Sequence, residues 1–194
     1  MQKLNITILY GSYRDERMGI RAVHLVEKVL KAQGHTVTFV DAKALDLPII
    51  AKRYVDYAPG GAPRDLEDLH TLFEKNTDAF VVVSGEYNGT LQPGLKNLLD
   101  HFYVEYFHKP SGMVTYSVGG LGGSRVSMDL RNILGIFGMP AIPGVLSIAA
   151  IHEKLDEKGN DASGTLEKNA EKFIKELVWY AEALKDKRRT GLPA

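Results

Sequence analysis

Apolar positions in this chain follow two alternating rhythms. Short runs rich in β-branched residues, at 4–10, 36–41, 79–84, 113–118 and 141–148, alternate with longer segments of helical period. That is the pattern of βαβ units around a mostly parallel sheet. The runs at 4–10, 79–84 and 113–118 show no clean polar alternation, so they read as central strands buried on both faces. The run at 36–41 alternates Val37 and Phe39 with polar neighbours, and 141–148 carries Pro143 near its start, so both are expected at sheet edges.

The helices fit between these strands. One spans 19–33, with Val23, Val26 and Leu30 on a single face and Gly34 as its C-terminal stop. Further helices are predicted over 64–75, after Pro93 with Leu95, Leu98, Leu99 and Phe102, and over 123–137 with Val126, Leu130, Ile133, Leu134 and Phe137. A last one covers 165–187, its inward stripe running through Leu166, Ala170, Phe173, Leu177, Ala181 and Leu184. The expectation is one α/β domain over 1–194. Two irregular stretches, 48–63 and 150–164, are long enough to be candidate functional loops.

Composition narrows the functions. The 24 Lys+Arg and 24 Asp+Glu residues cancel, which removes the global basic field of a nucleic-acid binder. With no cysteine, thiolate catalysis, disulfides and cysteine-ligated clusters are excluded. The first apolar run, broken by Asn5 and Thr7, is too short for a membrane span or a signal segment, so a cytoplasmic protein without a membrane partner is expected. The six histidines, at 24, 35, 70, 101, 108 and 152, lack metal-ligand spacing.

In an open α/β sheet ligands bind beyond the carboxyl ends of the strands, so the segments after strands one, three and four belong together. After the first come Gly11, Ser12, Tyr13, Arg14, Asp15, Glu16, Arg17, Met18 and Gly19. A helix N-terminus, a serine hydroxyl and two guanidiniums suit a phosphomonoester, although neither a Walker loop nor a dinucleotide fingerprint is present. The alternative is a solvated loop in which Arg17 pairs with Asp15 or Glu16. After the third strand, Gly85-Glu86-Tyr87-Asn88-Gly89-Thr90 offers an aromatic surface and close backbone approach, or an ordinary turn with Asn88-Gly89 at its apex. After the fourth, Ser117-Val118-Gly119-Gly120-Leu121-Gly122-Gly123 can form an anion nest, or only a flexible loop. All three emerge around one cleft.

These residues resemble the NADPH-dependent FMN reductase family, over about residues 4–159. That family shows a Gly-Ser-x-Arg loop, matched by Gly11 to Arg14, and a Pro-Glu-Tyr-Asn loop, matched by Glu86 to Asn88. A Leu-Lys-Asn helix follows, here Leu95-Lys96-Asn97 with Asp100, then a glycine-rich loop ahead of a helix containing Leu130-Arg131. The resemblance implies a flavodoxin-like three-layer sandwich with a five-stranded parallel sheet of order 2-1-3-4-5. It implies FMN and NADPH or NADH as cofactors. Gly11, Ser12, Arg14, Arg17, Met18 and Gly19 would hold the FMN phosphate. Glu86, Tyr87, Asn88, Gly89, Ser117, Gly119, Gly120 and Gly123 would embrace the flavin ring. It further implies hydride transfer from the nicotinamide to the flavin and on to a small acceptor such as a quinone, azo compound, free flavin or metal oxyanion. No protein acid or base is required. Two departures stand out: Gly85 replaces the family's proline, and Arg17-Met18-Gly19 replaces Ser-x-Asn.

A flavodoxin-type electron carrier is the first rival, disfavoured because carriers use acidic docking surfaces. A flavin-free nucleotide enzyme would need a carboxylate nucleophile, a role open only to Glu86. Members of the family are usually dimers or tetramers, and Tyr103, Tyr106 and Phe107 are expected at such an interface, with Tyr54 and Tyr57 as weaker candidates. Lys185, Lys187, Arg188 and Arg189 are expected to complement the negative end of the last helix.

Overall fold

The computed structural model of the chain describes residues 2–192. Its strands are β1 (Asn5–Tyr10), β2 (Thr36–Asp41), β3 (Ala79–Gly85), β4 (Ser111–Tyr116) and β5 (Ala141–Ile148). They form one parallel sheet in the order β2-β1-β3-β4-β5. The strands expected at the edges, β2 and β5, are at the edges. Every residue of β3 is buried, as a central strand covered on both faces requires.

Helices α1 (Ile20–Ala32) and α7 (Thr165–Arg189) cover one face, while α3 (Arg64–Lys75), α4 (Pro93–Asp100) and α5 (Ser124–Ile136) cover the other. The two apolar layers are distinct. Leu25, Val26, Phe173 and Leu177 pack with Ile6, Ile8, Val81 and Val83 on the first face. Phe73, Leu95, Leu99 and Leu134 pack with Leu9, Phe80, Val82 and Met113 on the second. The alternation of side chains along each strand sends Val81 and Val82 to opposite layers. Proline opens α4 at its first turn, where its missing N–H costs nothing.

Three expectations need correction. First, β4 begins at Ser111, two residues before the apolar run, and ends at Tyr116. A strand entered through serine and glycine is disfavoured by propensity, but Phe173 of α7 fills the space above Gly112, where a Cβ would lie 2.5 Å from Cζ. Ser117 and Val118 are therefore loop residues, free to line the cleft. Second, the irregular stretches contain a 3-10 turn at Tyr54–Asp56 and a short helix, α6 (Ile151–Lys154), while a further short helix, α2 (Ala42–Leu45), directly follows β2 and another 3-10 turn at Val104–Tyr106 follows α4.

Third, the basic residues of α7 do more than face its dipole. Lys185 and Arg188 reach Asp78 at 2.8 and 3.7 Å, and Arg188 also donates to the His108 carbonyl. Asp78 in turn accepts from the Asn5 backbone N–H at 2.8 Å. This partly buried network clamps α7 to the entry ends of β1 and β3. Among the aromatics, Tyr106 is fully buried and packs edge-on against Phe80 and Phe102, so it is core rather than interface. Tyr103 and Val104 beside it are exposed. Tyr54 stacks on His70 at 4.1 Å and donates to Glu67, which fastens the long early loop onto α3.

Candidate active site

Beyond the carboxyl ends of β1, β3 and β4 lies a cleft of about 460 Å³, within the size range of small-ligand sites. It is lined by the three loops, which supply Ser12, Arg14, Arg17 and Met18, then Gly85, Glu86 and Tyr87, and finally Tyr116, Ser117 and Val118. Glu16 also lines it, so the cleft holds two carboxylates, Glu16 and Glu86, and two guanidiniums.

The first loop is shaped by what it avoids. A Cβ on Gly11 would meet the backbone of Leu95 at 2.2 Å, and one on Gly94 would meet the Tyr13 ring at 2.4 Å. Only glycine at both positions lets the loop close against the start of α4. Among the described residues no acceptor takes the backbone N–H of Tyr13, Arg14, Arg17 or Gly19. Those donors lie in the loop leading into α1, where the helix dipole adds partial positive charge. Arg17 is anchored by Asp41 at 2.6 Å, across the sheet edge, not by Asp15 or Glu16. That hydrogen bond is the main reason the guanidinium is held even more firmly charged than usual. Asp15 pairs instead with Lys43 at 2.8 Å. Arg14 lies over the Tyr87 ring at 4.6 Å, and the Tyr87 hydroxyl sits 3.2 Å from Ser12 Oγ.

The second loop is a tight turn, with Tyr87 and Thr90 exchanging both backbone hydrogen bonds. Asn88 and Gly89 have φ of 51° and 89°, the left-handed pair that a two-residue hairpin turn demands. Their role here is the turn, and it is Glu86 and Tyr87 that the turn presents to the cleft. Glu86 is fixed in place by Arg125, accepting from its side chain at 3.2 Å and its backbone N–H at 3.3 Å. It thereby caps α5 and ties the second loop to the third. A carboxylate so engaged is poorly placed as a nucleophile, which counts against the role that the flavin-free alternative gave to Glu86.

In the third loop, Ser117 donates to the Gly119 carbonyl, while Gly119 and Gly120 are exposed with open space beside them. Gly123 is buried, and its Cβ would lie 3.1 Å from Thr115, so it allows α5 to approach β4 and does not face the cleft. The motif residues farther along are fasteners. Asn97 accepts from Ile50 N and donates to the Leu47 and Pro48 carbonyls, and Arg131 donates to the Ile142 and Pro143 carbonyls. Gly11 lines a neighbouring groove with Tyr13, Leu47, Ile49 and Asn97, and Arg14 and Tyr87 form the wall shared with the cleft.

Sequence inspection missed Tyr116. Its ring lies 2.2 Å from where a Cβ on Gly19 would stand and 2.9 Å from one on Gly85. Both departures from the family pattern therefore have one cause. Gly19 and Gly85 make room for this tyrosine, so Gly85 reflects close packing. Its hydroxyl accepts from Gln92 Nε2 at 2.9 Å and lies 3.3 Å from the Tyr10 hydroxyl. Burial pushes the phenols of Tyr10 and Tyr116 up, so both stay protonated and able to donate. Among the described residues no three His, Asp or Glu side chains gather so as to hold a metal ion.

Comparisons with known proteins bear on this cleft. The family model described as NADPH-dependent FMN reductase matches residues 4–153. The NAD(P)H-dependent FMN reductase of Saccharomyces cerevisiae is 38% identical over 156 residues, covering 73% of this chain and 79% of that protein. One of the same description from Schizosaccharomyces pombe is 36% identical over 78 residues, which span 40% of this chain and only 38% of that protein. Among solved structures, the flavoenzyme NAD(P)H:(acceptor) oxidoreductase of Paracoccus denitrificans superposes with a TM-score of 0.71 at 18% identity, covering 91% of this chain and 98% of that one. A flavodoxin from Pseudomonas aeruginosa superposes at 0.53 and 18% identity, over 94% and 99% of the two chains. At such identities both share the fold, and the fold alone does not separate a reductase from a carrier.

Proposed function

This chain belongs to the NADPH-dependent FMN reductase family, and we propose that it carries electrons from NAD(P)H through FMN to a small acceptor such as a quinone, azo compound, free flavin or metal oxyanion. The observation that supports this most is the joining of two kinds of surface in one cleft. Free N–H groups, Ser12, Arg14 and Arg17 line it beside the flat approach through Gly85, Tyr87 and Ser117, and Tyr87 joins the two sets by touching both Arg14 and Ser12. The residues fit the group: a phosphate needs the first set and a planar ring needs the second. When bound, FMN supplies the hydride and electron chemistry.

The chain's own residues bind and orient. Arg14 and Arg17 neutralise the phosphate, with Asp41 holding the Arg17 guanidinium in place. Glu86 braces the ring-side loop through Arg125, and Tyr87 presents its face. Backbone N–H groups of Gly119 and Gly120, which have no acceptor among the described residues, would stabilise negative charge on the bound ring. No side chain is assigned a proton-transfer step.

One binding face serving both substrates in turn gives ping-pong kinetics. Initial rates with NADPH and a quinone should yield parallel double-reciprocal lines. Intersecting lines together with a demonstrated ternary complex would rule out the shared face. A flavodoxin-type carrier would instead show negligible NAD(P)H oxidation with any small acceptor.

We also place this protein in the cytoplasm as a homodimer or homotetramer, without nucleic-acid or membrane partners. Net charge is zero, and no helix among the described residues is long and apolar enough to cross a membrane. Exposed Met128 and Ile136 on α5, together with exposed Val104, support self-association. Replacing Met128 and Ile136 by glutamate should lower the mass found by sedimentation equilibrium. An unchanged mass would place the interface elsewhere.

A further inference from the structure

We propose that the Tyr116 hydroxyl is a direct donor to the phosphate end of the bound cofactor, completing a set of donors that the first loop alone does not supply. This rests on the flavin assignment above and names a ligand for that site.

Tyr116 is the last residue of β4, two strands away from β1, yet its ring crosses beneath the end of β3 to the N-terminus of α1. A Cβ on Gly19 would lie 2.4 Å from the phenolic oxygen itself, so the hydroxyl sits beside the free N–H groups that open the helix. The ring also lines the cleft together with Ser12 and Arg17.

The hydrogen bonding then decides what that hydroxyl can offer. Gln92 Nε2 donates to it at 2.9 Å, which occupies one lone pair. Tyr10, 3.3 Å away, can donate to the other, because its phenol is kept protonated by burial. When Tyr10 is the donor of that pair, both lone pairs are taken and the proton of Tyr116 is left to point at a third group. Gln92 keeps this geometry at a cost: its carboxamide is almost fully buried, and its Oε1 has no partner among the described residues. Buried polar atoms are rarely left without a partner, and the exceptions call for an explanation. Here the unpaired carbonyl is what remains when the amide N–H is committed to aiming Tyr116.

An anion is the ligand this arrangement selects. A protonated phenol, a serine hydroxyl, two guanidiniums and free backbone N–H groups are donors around this cleft, and of its two carboxylates Glu86 is already engaged by Arg125, which leaves Glu16. That chemistry suits a dianionic phosphate better than the neutral hydroxyls of a sugar-alcohol chain, which would also need acceptors.

Tyr116→Phe tests this, since it keeps the ring that fills the space between Gly19 and Gly85 and removes only the oxygen. The apoprotein is titrated with FMN and with riboflavin by fluorescence quenching, and its melting temperature is recorded. Losing one charge-assisted hydrogen bond should weaken FMN by about tenfold while riboflavin changes by less than about twofold. An unchanged FMN-to-riboflavin ratio in the folded variant, or an equal loss for both ligands, overturns the assignment while leaving the flavin site standing. If the wild-type protein binds neither flavin, the flavin assignment itself falls, and this one with it. Should Tyr116→Phe fail to fold, Gln92→Met decides, because it releases the hydroxyl without altering the ring. A fall in the same ratio supports the assignment, and no change overturns it.

Discussion

Gly11→Ala should destabilise the protein by about 3 kcal/mol or more in urea unfolding and should also abolish tight FMN binding. The cause is close approach of two backbones. The added methyl would sit 2.2 Å from Leu95 N and 2.3 Å from Leu95 Cα, and main-chain atoms inside a helix cannot rotate away as a side chain can. Relief requires moving the first loop away from α4, and that same loop carries Ser12, Arg14 and Arg17. Stability and cofactor affinity should therefore fall together. Gly120→Ala is the control, since no atom lies within 4 Å of its Cβ position, and it should change stability by less than about 0.5 kcal/mol. A Gly11→Ala protein within about 1 kcal/mol of wild type would show that the loop and α4 do not pack as described.

The second large effect concerns Arg14 and Arg17. Replacing both by alanine should weaken FMN binding by at least about tenfold, because charge-assisted hydrogen bonds typically contribute about 1.5–3 kcal/mol each. Riboflavin lacks the phosphate, so its weaker binding should barely change. The two arginines are held differently. Arg17 is positioned in advance by Asp41, whereas Arg14 is exposed and rests on the Tyr87 ring. If titration shows the FMN-to-riboflavin ratio unchanged in a double variant with native circular dichroism, the phosphate is held elsewhere.

These variants probe features of unequal visibility in the sequence. Strand positions and helix faces were legible because they depend on neighbours a few residues apart. Val81 and Val82, or Val23, Val26 and Leu30, announce themselves by period alone. The β4 boundary was misplaced for the converse reason: Ser111 and Gly112 lack strand propensity and are held in register by Phe80, Val81 and the Phe173 ring. The three loops were also legible, since each follows an apolar run and carries glycine, arginine or tyrosine in a recognisable order.

What each loop residue does was a different matter. Asn88, Gly89 and Gly123 were expected as ligand contacts; what the structure adds is that the positive φ angles of Asn88 and Gly89 make the hairpin turn and that Gly123 packs 3.1 Å from Thr115. The alternative reading of the first loop paired Arg17 with Asp15 or Glu16, yet its partner is Asp41, which β2 brings alongside the end of β1. Lys185 and Arg188 looked like dipole complements and proved to be a clamp on Asp78.

The sequence by itself determined the alternation of elements, the identity of the cleft and the family, because periodicity and contiguous motifs are written along the chain. The tertiary structure alone decided the meaning of Gly19 and Gly85. Their shared cause, the Tyr116 ring, is 97 residues from one and 31 from the other. A contact between distant segments leaves no periodic trace in either, so a glycine that makes room for a remote side chain looks the same in sequence as one that makes a turn.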